Sequence, residues 1–159
     1  MSRERYEHAI ISYLEKRADD RAMLAALRRG LGHEPGTMPT MYPYVVPFVH
    51  SRRDEANFYT IASLFALHPM SAVDGNMGTH LRQLARQVNE DLDDATTRRF
   101  VQLLNQHRGN LDTPLRQHVN LLKANEIAIN WHQLLSDLFR WDDEERPAQK
   151  WWASEYWKR

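Results

Sequence analysis

Apolar residues recur three and four positions apart through most of the chain, which is the spacing of one buried helix face. No segment shows the sustained alternation of apolar and polar residues that predicts a half-buried strand. The pattern predicts an all-α fold, a helical bundle in two packed lobes with no sheet. In chain order the stripes are Tyr6-Ala9-Ile10-Tyr13-Leu14, Leu24-Leu27-Leu31, Phe58-Ile61-Ala62-Phe65, Leu81-Leu84-Ala85-Val88, Phe100-Leu103-Leu104, Leu115-Val119-Leu122, Trp131-Leu134-Leu135-Leu138 and Trp151-Trp152-Tyr156-Trp157.

Capping residues, prolines and glycines predict where the helices begin and end. Thr113 before Pro114 indicates an N-cap and a first helical residue, and Asn130 indicates another N-cap. Segment 30–48 has too many prolines for one continuous helix, and segment 68–78 is also irregular because it combines a proline with two glycines. The acidic stretch 90–94 is the expected seam between an N-terminal lobe, 1–90, and a C-terminal lobe, 91–159.

Composition excludes several kinds of chemistry. The 159 residues contain no cysteine, which excludes disulfides, thiol catalysis and cysteine-bound metals and fits a cytoplasmic protein. No apolar run approaches a membrane span, and no signal-peptide or nucleotide-binding pattern occurs. The eight histidines are scattered, and His107 and His118 are expected at a surface or interface. No cofactor, metal or enzymatic activity is therefore expected, although a Ser-His-Asp triad assembled in space stays open.

Positive charge is balanced overall but unevenly placed. The 21 basic and 21 acidic residues cancel, and 17 of the basic residues are arginine, a count that genomic bias explains as well as phosphate recognition does. Residues 76–89 contain two arginines and no acid, and residues 95–124 contain five basic residues against Asp112 alone. The acids gather in 90–94 and 142–145, where helix N-terminal charges or solvated faces are the ordinary interpretation.

The second acid-poor segment predicts a basic face. Arg116, Asn120 and Lys123 share one stripe of a helix, as a surface that follows a phosphate backbone requires. If the two helices of this segment are neighbours, Arg98, Arg99 and Arg108 line the same groove; an ordinary solvated face is the alternative. Tryptophans crowd the C-terminal end of the chain, where packing is favoured over stacking on unpaired bases.

Read in order, a set of local sequences resembles the CasB family, the small subunit of the type I-E CRISPR surveillance complex Cascade. The resemblance spans nearly the whole chain, and its specificity comes from the order of the elements. The matching segments are residues 27–32, 35–36, 42–48, 64–69, 76–82, 98–104, 115–116, 121–123, 129–131, 134–135 and 138–142.

The resemblance implies a non-enzymatic, all-helical subunit without cofactor. In that family the subunit forms a head-to-tail pair beside the backbone and large subunits of the complex, and it stabilises the R-loop by holding displaced single-stranded DNA. A purely architectural adaptor that never touches DNA is the alternative. The basic positions that the resemblance assigns to nucleic-acid binding are Arg28, Arg29, Arg52, Arg53, Arg82, Arg98, Arg99, Arg108, Arg116 and Lys123.

Overall fold

Helices form almost all of the regular structure. The computed structural model describes residues 7–159, and within this range the one extended pairing is an isolated parallel bridge between Ser71 and Ile129. The all-α prediction is confirmed; the Tyr6 position of the first stripe lies outside the described residues. The α-helices are α1 (Ala9–Lys16), α2 (Arg21–Arg28), α3 (Tyr42–Val45), α4 (Glu55–Leu67), α5 (Met77–Val88), α6 (Asp94–Leu104), α7 (Asp112–Ala124), α8 (Trp131–Phe139) and α9 (Pro147–Tyr156).

Helix α4 lies at the centre of the molecule. Its residues 59–66 are all buried, because α1, α2, α7 and α8 pack around it. Helix α5 packs against α9 along much of its length. Both the α4–α8 and the α5–α9 contacts join residues on either side of the expected seam at 90–91. The division into two lobes stays a prediction.

Short polar side chains begin several of the described helices. Asp20, Asn76, Asp93 and Asn130 each accept a hydrogen bond from the backbone N–H three residues on, and the Thr79 hydroxyl oxygen accepts one from the Asn76 backbone N–H. The Asn130 prediction is confirmed. The start predicted at Thr113 is wrong, because the 3-10 turn Arg108–Asn110 runs directly into α7 and Leu111 already has helical dihedral angles.

Most residues of the predicted apolar stripes are buried in the core. The stripe residues that are exposed instead lie at helix ends. The predicted faces of α6, α7 and α8 are buried, apart from the half-buried Leu104. Ala9 and Val88 are exposed, because each lies at an end of its helix where no neighbour covers it. Segment 30–48 is broken, as predicted, into 3-10 turns at Pro39–Met41 and Val46–Phe48 around the single turn of α3. Segment 68–78 was predicted two residues too long, because α5 begins at Met77.

Three of the five tryptophans are core residues. Trp131, Trp141 and Trp152 are at most 1% exposed, and their indole N–H groups donate to the Met70 carbonyl, the Gln106 carbonyl and the buried Asp137 carboxylate, respectively. The Trp141 and Trp152 rings lie 4.8 Å apart between centroids. Packing therefore accounts for the C-terminal tryptophans except Trp157, which is 43% exposed.

Candidate nucleic-acid interface

Helices α6 and α7 enclose a groove of about 430 Å³, called here the α6–α7 groove. One wall comes from the second half of α6 and the other from one face of α7. Side-chain amides dominate its polar surface, and Arg99 supplies its charge. The lining residues are Arg99, Gln102, Leu103, Gln106, Pro114, Gln117, His118 and Leu121.

Arg98 and Arg99 are both exposed in the middle of α6. Neither makes a hydrogen bond or an ion pair within residues 7–159. The nearby carboxylate of Asp93 is the N-cap of α6, and hydrogen bonds from the Thr96 N–H and hydroxyl lower its pKa, with smaller contributions from Arg99 and Arg98. This ionised carboxylate offsets part of the positive charge of the two arginines. It forms no ion pair with either guanidinium group, so both groups can bind a ligand.

Arg116 lies on a different side of α7. It lines a second cavity, of about 140 Å³, between α4, the start of α7 and residues 30–36, the glycine loop. A Cβ atom added at Gly32 would lie 3.1 Å from Arg116 Nη1, so the guanidinium packs against the loop backbone. Consecutive residues point about 100° apart around a helix. Arg116 therefore faces the glycine loop, while Gln117 faces the α6–α7 groove. The sequence predicts one groove lined by both Arg99 and Arg116, but these two residues line separate cavities.

The remaining exposed candidates do not join the α6–α7 groove. Lys123 lies two turns after Arg116 on the same face of α7. Arg28 and Arg29 are at the end of α2, where Arg28 Nη1 donates to the Ala66 carbonyl at 3.3 Å. Arg52 and Arg53 lie in the turn before α4.

Arg82 binds the C-terminal end of α9. Its Nη1 donates to the carbonyl oxygens of Tyr156 at 2.8 Å and Lys158 at 2.6 Å. Carbonyl groups at the end of a helix have no partner within the helix, so a cation there stabilises it. This arrangement gives Arg82 a structural role.

Arg108 is the centre of a polar network inside the chain. Its Nε donates to Asn57 at 2.6 Å, its Nη1 to Asp112 at 2.6 Å and its Nη2 to Thr60 at 3.1 Å. The Arg108 backbone N–H also donates to Asp142, which gives the acidic segment 142–145 a structural contact. The side chain is 17% exposed, so its charge is largely used within the protein.

We expect Arg108→Leu to lower the free energy of unfolding by about 2 kcal/mol, because buried Asn57 and Thr60 both lose a hydrogen-bond partner. Denaturant unfolding monitored by circular dichroism measures the change. Arg98→Leu is the matched control, since Arg98 is exposed, and its effect should stay within about 0.5 kcal/mol. Equal losses in the two variants would contradict the structural role of Arg108.

A serine and a histidine do meet in the structure, which bears on the possibility of a triad. The Ser136 hydroxyl lies 2.7 Å from His8 Nε2. Burial, with a smaller effect of His132, lowers the pKa of His8 to about 4, which makes its ring a weak base. The His8 backbone N–H donates to His132 Nδ1, and His132 Nε2 then donates to Glu15. Neither residue of the Ser136–His8 pair lines the two cavities described above, and the network connects α1 to α8.

Two other kinds of site are not found in the described part of the chain. Residues 7–159 contain no group of three histidine or carboxylate side chains placed to hold a metal ion. None of their helices combines the length and the apolarity needed to cross a lipid bilayer.

The family model of the CRISPR-associated protein Cse2 matches residues 23–157. The chain belongs to the Cse2 (CasB) family. The Cse2 protein of Thermus thermophilus is 37% identical over 142 residues, which cover 86% of this chain and 79% of that relative. The resemblance read from the ordered sequence segments is thereby confirmed.

Solved structures of Cse2 and CasB proteins share this fold. CasB from Thermus thermophilus superimposes with a TM-score of 0.77 at 32% identity, covering 92% of both chains. CasB from M. ruber gives 0.75 at 25% identity, covering 94% of this chain and 93% of that one. A chain of a CRISPR RNA-guided surveillance complex gives 0.79 at 26% identity, covering 93% of this chain and 89% of that one.

His118 of this Cse2-family chain does not lie where the sequence predicts it. It was expected at a surface or interface, but it is 4% exposed. The available signal was its position on α7, next to Val119 and one turn before Leu122, on the side that packs into the core. A polar ring on an apolar helix face that also lines a groove is a candidate ligand contact.

Proposed function

We propose that this chain is a non-catalytic small subunit of a CRISPR RNA-guided surveillance complex and holds the displaced DNA strand of the R-loop on the face formed by α6 and α7. Membership of the Cse2 family and the similarity to a chain of such a complex support the first part. The observation that carries the second part is the adjacent pair Arg98 and Arg99: both side chains are exposed on α6, and Arg99 lines the α6–α7 groove. Guanidinium groups in that position bind phosphates along a single strand.

The neutral net charge fits a strand that is delivered by guide pairing. Free-standing nucleic-acid binding depends on many phosphate contacts, and this chain has equal numbers of acidic and basic residues. Inside an assembled complex the displaced strand is tethered near the subunit, so its effective concentration is high and a few contacts suffice. Arg98, Arg99 and the amides of the groove are enough for that task.

An architectural adaptor without DNA contact is the second candidate function. Val101 on α6 is 50% exposed and Trp157 after α9 is 43% exposed, and the Phe100 ring lies 5.4 Å from that of Trp157. Large apolar side chains at a protein surface often mark contacts with another subunit. A contact at Val101 and Trp157, with a backbone or large subunit or with a second copy in a head-to-tail pair, would give the subunit an assembly role beside α6.

Replacing Arg98 and Arg99 together with alanine should weaken binding of the displaced strand in the assembled complex and leave assembly intact. Each lost phosphate contact lowers the slope of log affinity against log salt by about 0.7, so the double variant should lose about 1.4. R-loop stability titrated against salt measures the slope, and size-exclusion chromatography measures assembly.

Arg140→Ala is the control, because Arg140 is an exposed arginine at the end of α8, away from the groove lining. It should keep the wild-type salt slope. Loss of assembly in the Arg98 and Arg99 double variant would favour the adaptor. An unchanged slope with intact assembly would refute phosphate binding by this arginine pair.

A further inference from the structure

His118 lines the α6–α7 groove, and one nitrogen of its buried ring has no hydrogen-bond partner among residues 7–159. Its Nδ1 lies 2.8 Å from the Pro114 carbonyl oxygen, which only accepts, so Nδ1 carries the proton. Burial, with a smaller effect of Arg99, lowers the pKa of His118, although the bond to Pro114 opposes this shift. The ring is therefore neutral near pH 7, and Nε2 is an acceptor that finds no hydrogen-bond partner among residues 7–159.

A buried acceptor without a hydrogen-bond partner destabilises the protein. A ligand that donates a hydrogen bond to this acceptor removes the destabilisation, which adds to the binding free energy. His118 is only 4% exposed, and its Nε2 is shielded from solvent in the unbound chain. A ligand therefore reaches Nε2 only when side chains at the groove wall move enough to expose this atom. The ligand must bring an N–H or O–H group, and a phosphodiester, which only accepts hydrogen bonds, does not satisfy this requirement.

The other residues of the groove further restrict the chemical class of ligand that fits it. Arg99 offers only donors and suits an anion, and the amides of Gln102 and Gln117 offer both donors and acceptors. The half-buried Leu121 adds apolar surface for a flat ring. The groove volume of about 430 Å³ is within the range of small-molecule sites, about 300 to 1,000 Å³. A planar group with N–H donors joined to a phosphate is a nucleotide.

We infer that the α6–α7 groove binds one unpaired nucleobase, with an N–H of the base donating to His118 Nε2 and an adjacent phosphate on Arg99. This inference rests on the proposed function and adds a base-binding position to it. Adenine, cytosine and guanine carry an exocyclic amino group, and thymine carries only a ring N–H between two carbonyls. The site should therefore favour bases with an amino group over thymine.

The test compares single-stranded oligonucleotides of equal length and charge, one of deoxyadenosine and one of abasic spacers, by fluorescence anisotropy with the full chain at low salt. The deoxyadenosine strand should bind about five- to tenfold more tightly, as expected for one recovered buried hydrogen bond. A thymidine strand should fall between them. Equal affinity for all three strands would overturn the inference.

Variants of two groove residues test whether a difference in affinity between the strands arises in the α6–α7 groove. His118→Phe, which keeps a ring but no acceptor, should remove the preference for the deoxyadenosine strand and leave abasic binding unchanged. His118→Gln should restore part of the preference, because its side-chain oxygen accepts. Arg99→Ala should weaken both strands equally. A His118→Phe variant that keeps the full preference contradicts the inference.

The same strands separate failure of this inference from failure of the proposed function. Equal binding of abasic and base-containing strands, lost in Arg99→Ala, would leave phosphate holding in place and remove the base site. Absence of binding to every strand, both by the isolated chain and within the assembled complex, would remove the proposed function as well. A side chain of another subunit could instead fill the groove in the assembled complex. The isolated chain would then prefer the deoxyadenosine strand, and this preference would disappear on assembly. That outcome would also overturn the inference.

Discussion

Replacing Gly78 with alanine is expected to lower the free energy of unfolding by about 3 kcal/mol or more, a large effect for one methyl group. Gly78 lies in the first turn of α5, where α9 crosses it. A Cβ atom at this position would overlap the Trp152 carbonyl oxygen and lie 2.7 Å from its carbonyl carbon and 2.8 Å from its Cα. These are backbone atoms, so no side-chain rotation relieves the overlap, and α9 must move away from α5.

Gly109→Ala is the matched control for this substitution. A Cβ at Gly109 meets no atom within 4 Å, so its effect should stay within about 0.5 kcal/mol. The midpoint and slope of denaturant unfolding measure both variants, and a shift in midpoint at constant slope indicates a change in stability. If Gly78→Ala were as stable as Gly109→Ala, the close contact between α5 and α9 would be wrong.

Acidification from pH 6.5 to about pH 4 is expected to destabilise the protein through His80. The His80 ring is buried, its Nε2 accepts the Asn130 backbone N–H at 3.0 Å, and burial lowers its pKa from 6.5 to about 4. The unfolded chain therefore binds a proton first as the pH falls. The stabilisation is complete above pH 6.5, declines between pH 6.5 and about 4, and levels off below. A difference of about 2.5 pKa units corresponds to about 3 kcal/mol.

The variant His80→Gln isolates this contribution, because glutamine keeps an acceptor and does not titrate. Free energies of unfolding measured at several pH values should show a smaller decline in the variant than in the wild-type protein. Half-buried His8, whose pKa is also lowered to about 4, adds to the decline in both proteins. The exposed His33→Gln is the control and should keep the wild-type slope. Parallel curves for wild-type and His80→Gln would contradict the assignment.

Local sequence signals predicted the helices but not the contacts between them. Apolar spacing gave the buried faces of α6, α7 and α8, because these faces are set by the helix period within a few residues. Gly78 illustrates the limit. The sequence places Gly78 in an irregular segment, because glycine tends to break helices. In the structure it is helical, and its lack of a side chain lets the α9 backbone approach at Trp152, 74 positions further along the chain.

The candidate site shows the same limit. The acid-poor segment 95–124 predicts a basic face that includes Arg98 and Arg99, and both are exposed on α6, as charged residues on the outer side of an amphipathic helix are. Arg108 comes from the same segment but faces inward, and its partners Asn57 and Thr60 lie 51 and 48 positions away. No local pattern reports such distant partners, so the sequence could not separate internal arginines from exposed ones.

Helix α7 separates two cavities, and this has a consequence for how ligands bind together. The α6–α7 groove contacts its Gln117 side, and the glycine-loop cavity contacts its Arg116 side. Two ligands can occupy these cavities simultaneously without steric competition, because a rigid helix stands between them. Steric coupling between the two sides therefore requires a displacement of α7, whereas charged ligands can still influence each other across the helix through their electric fields.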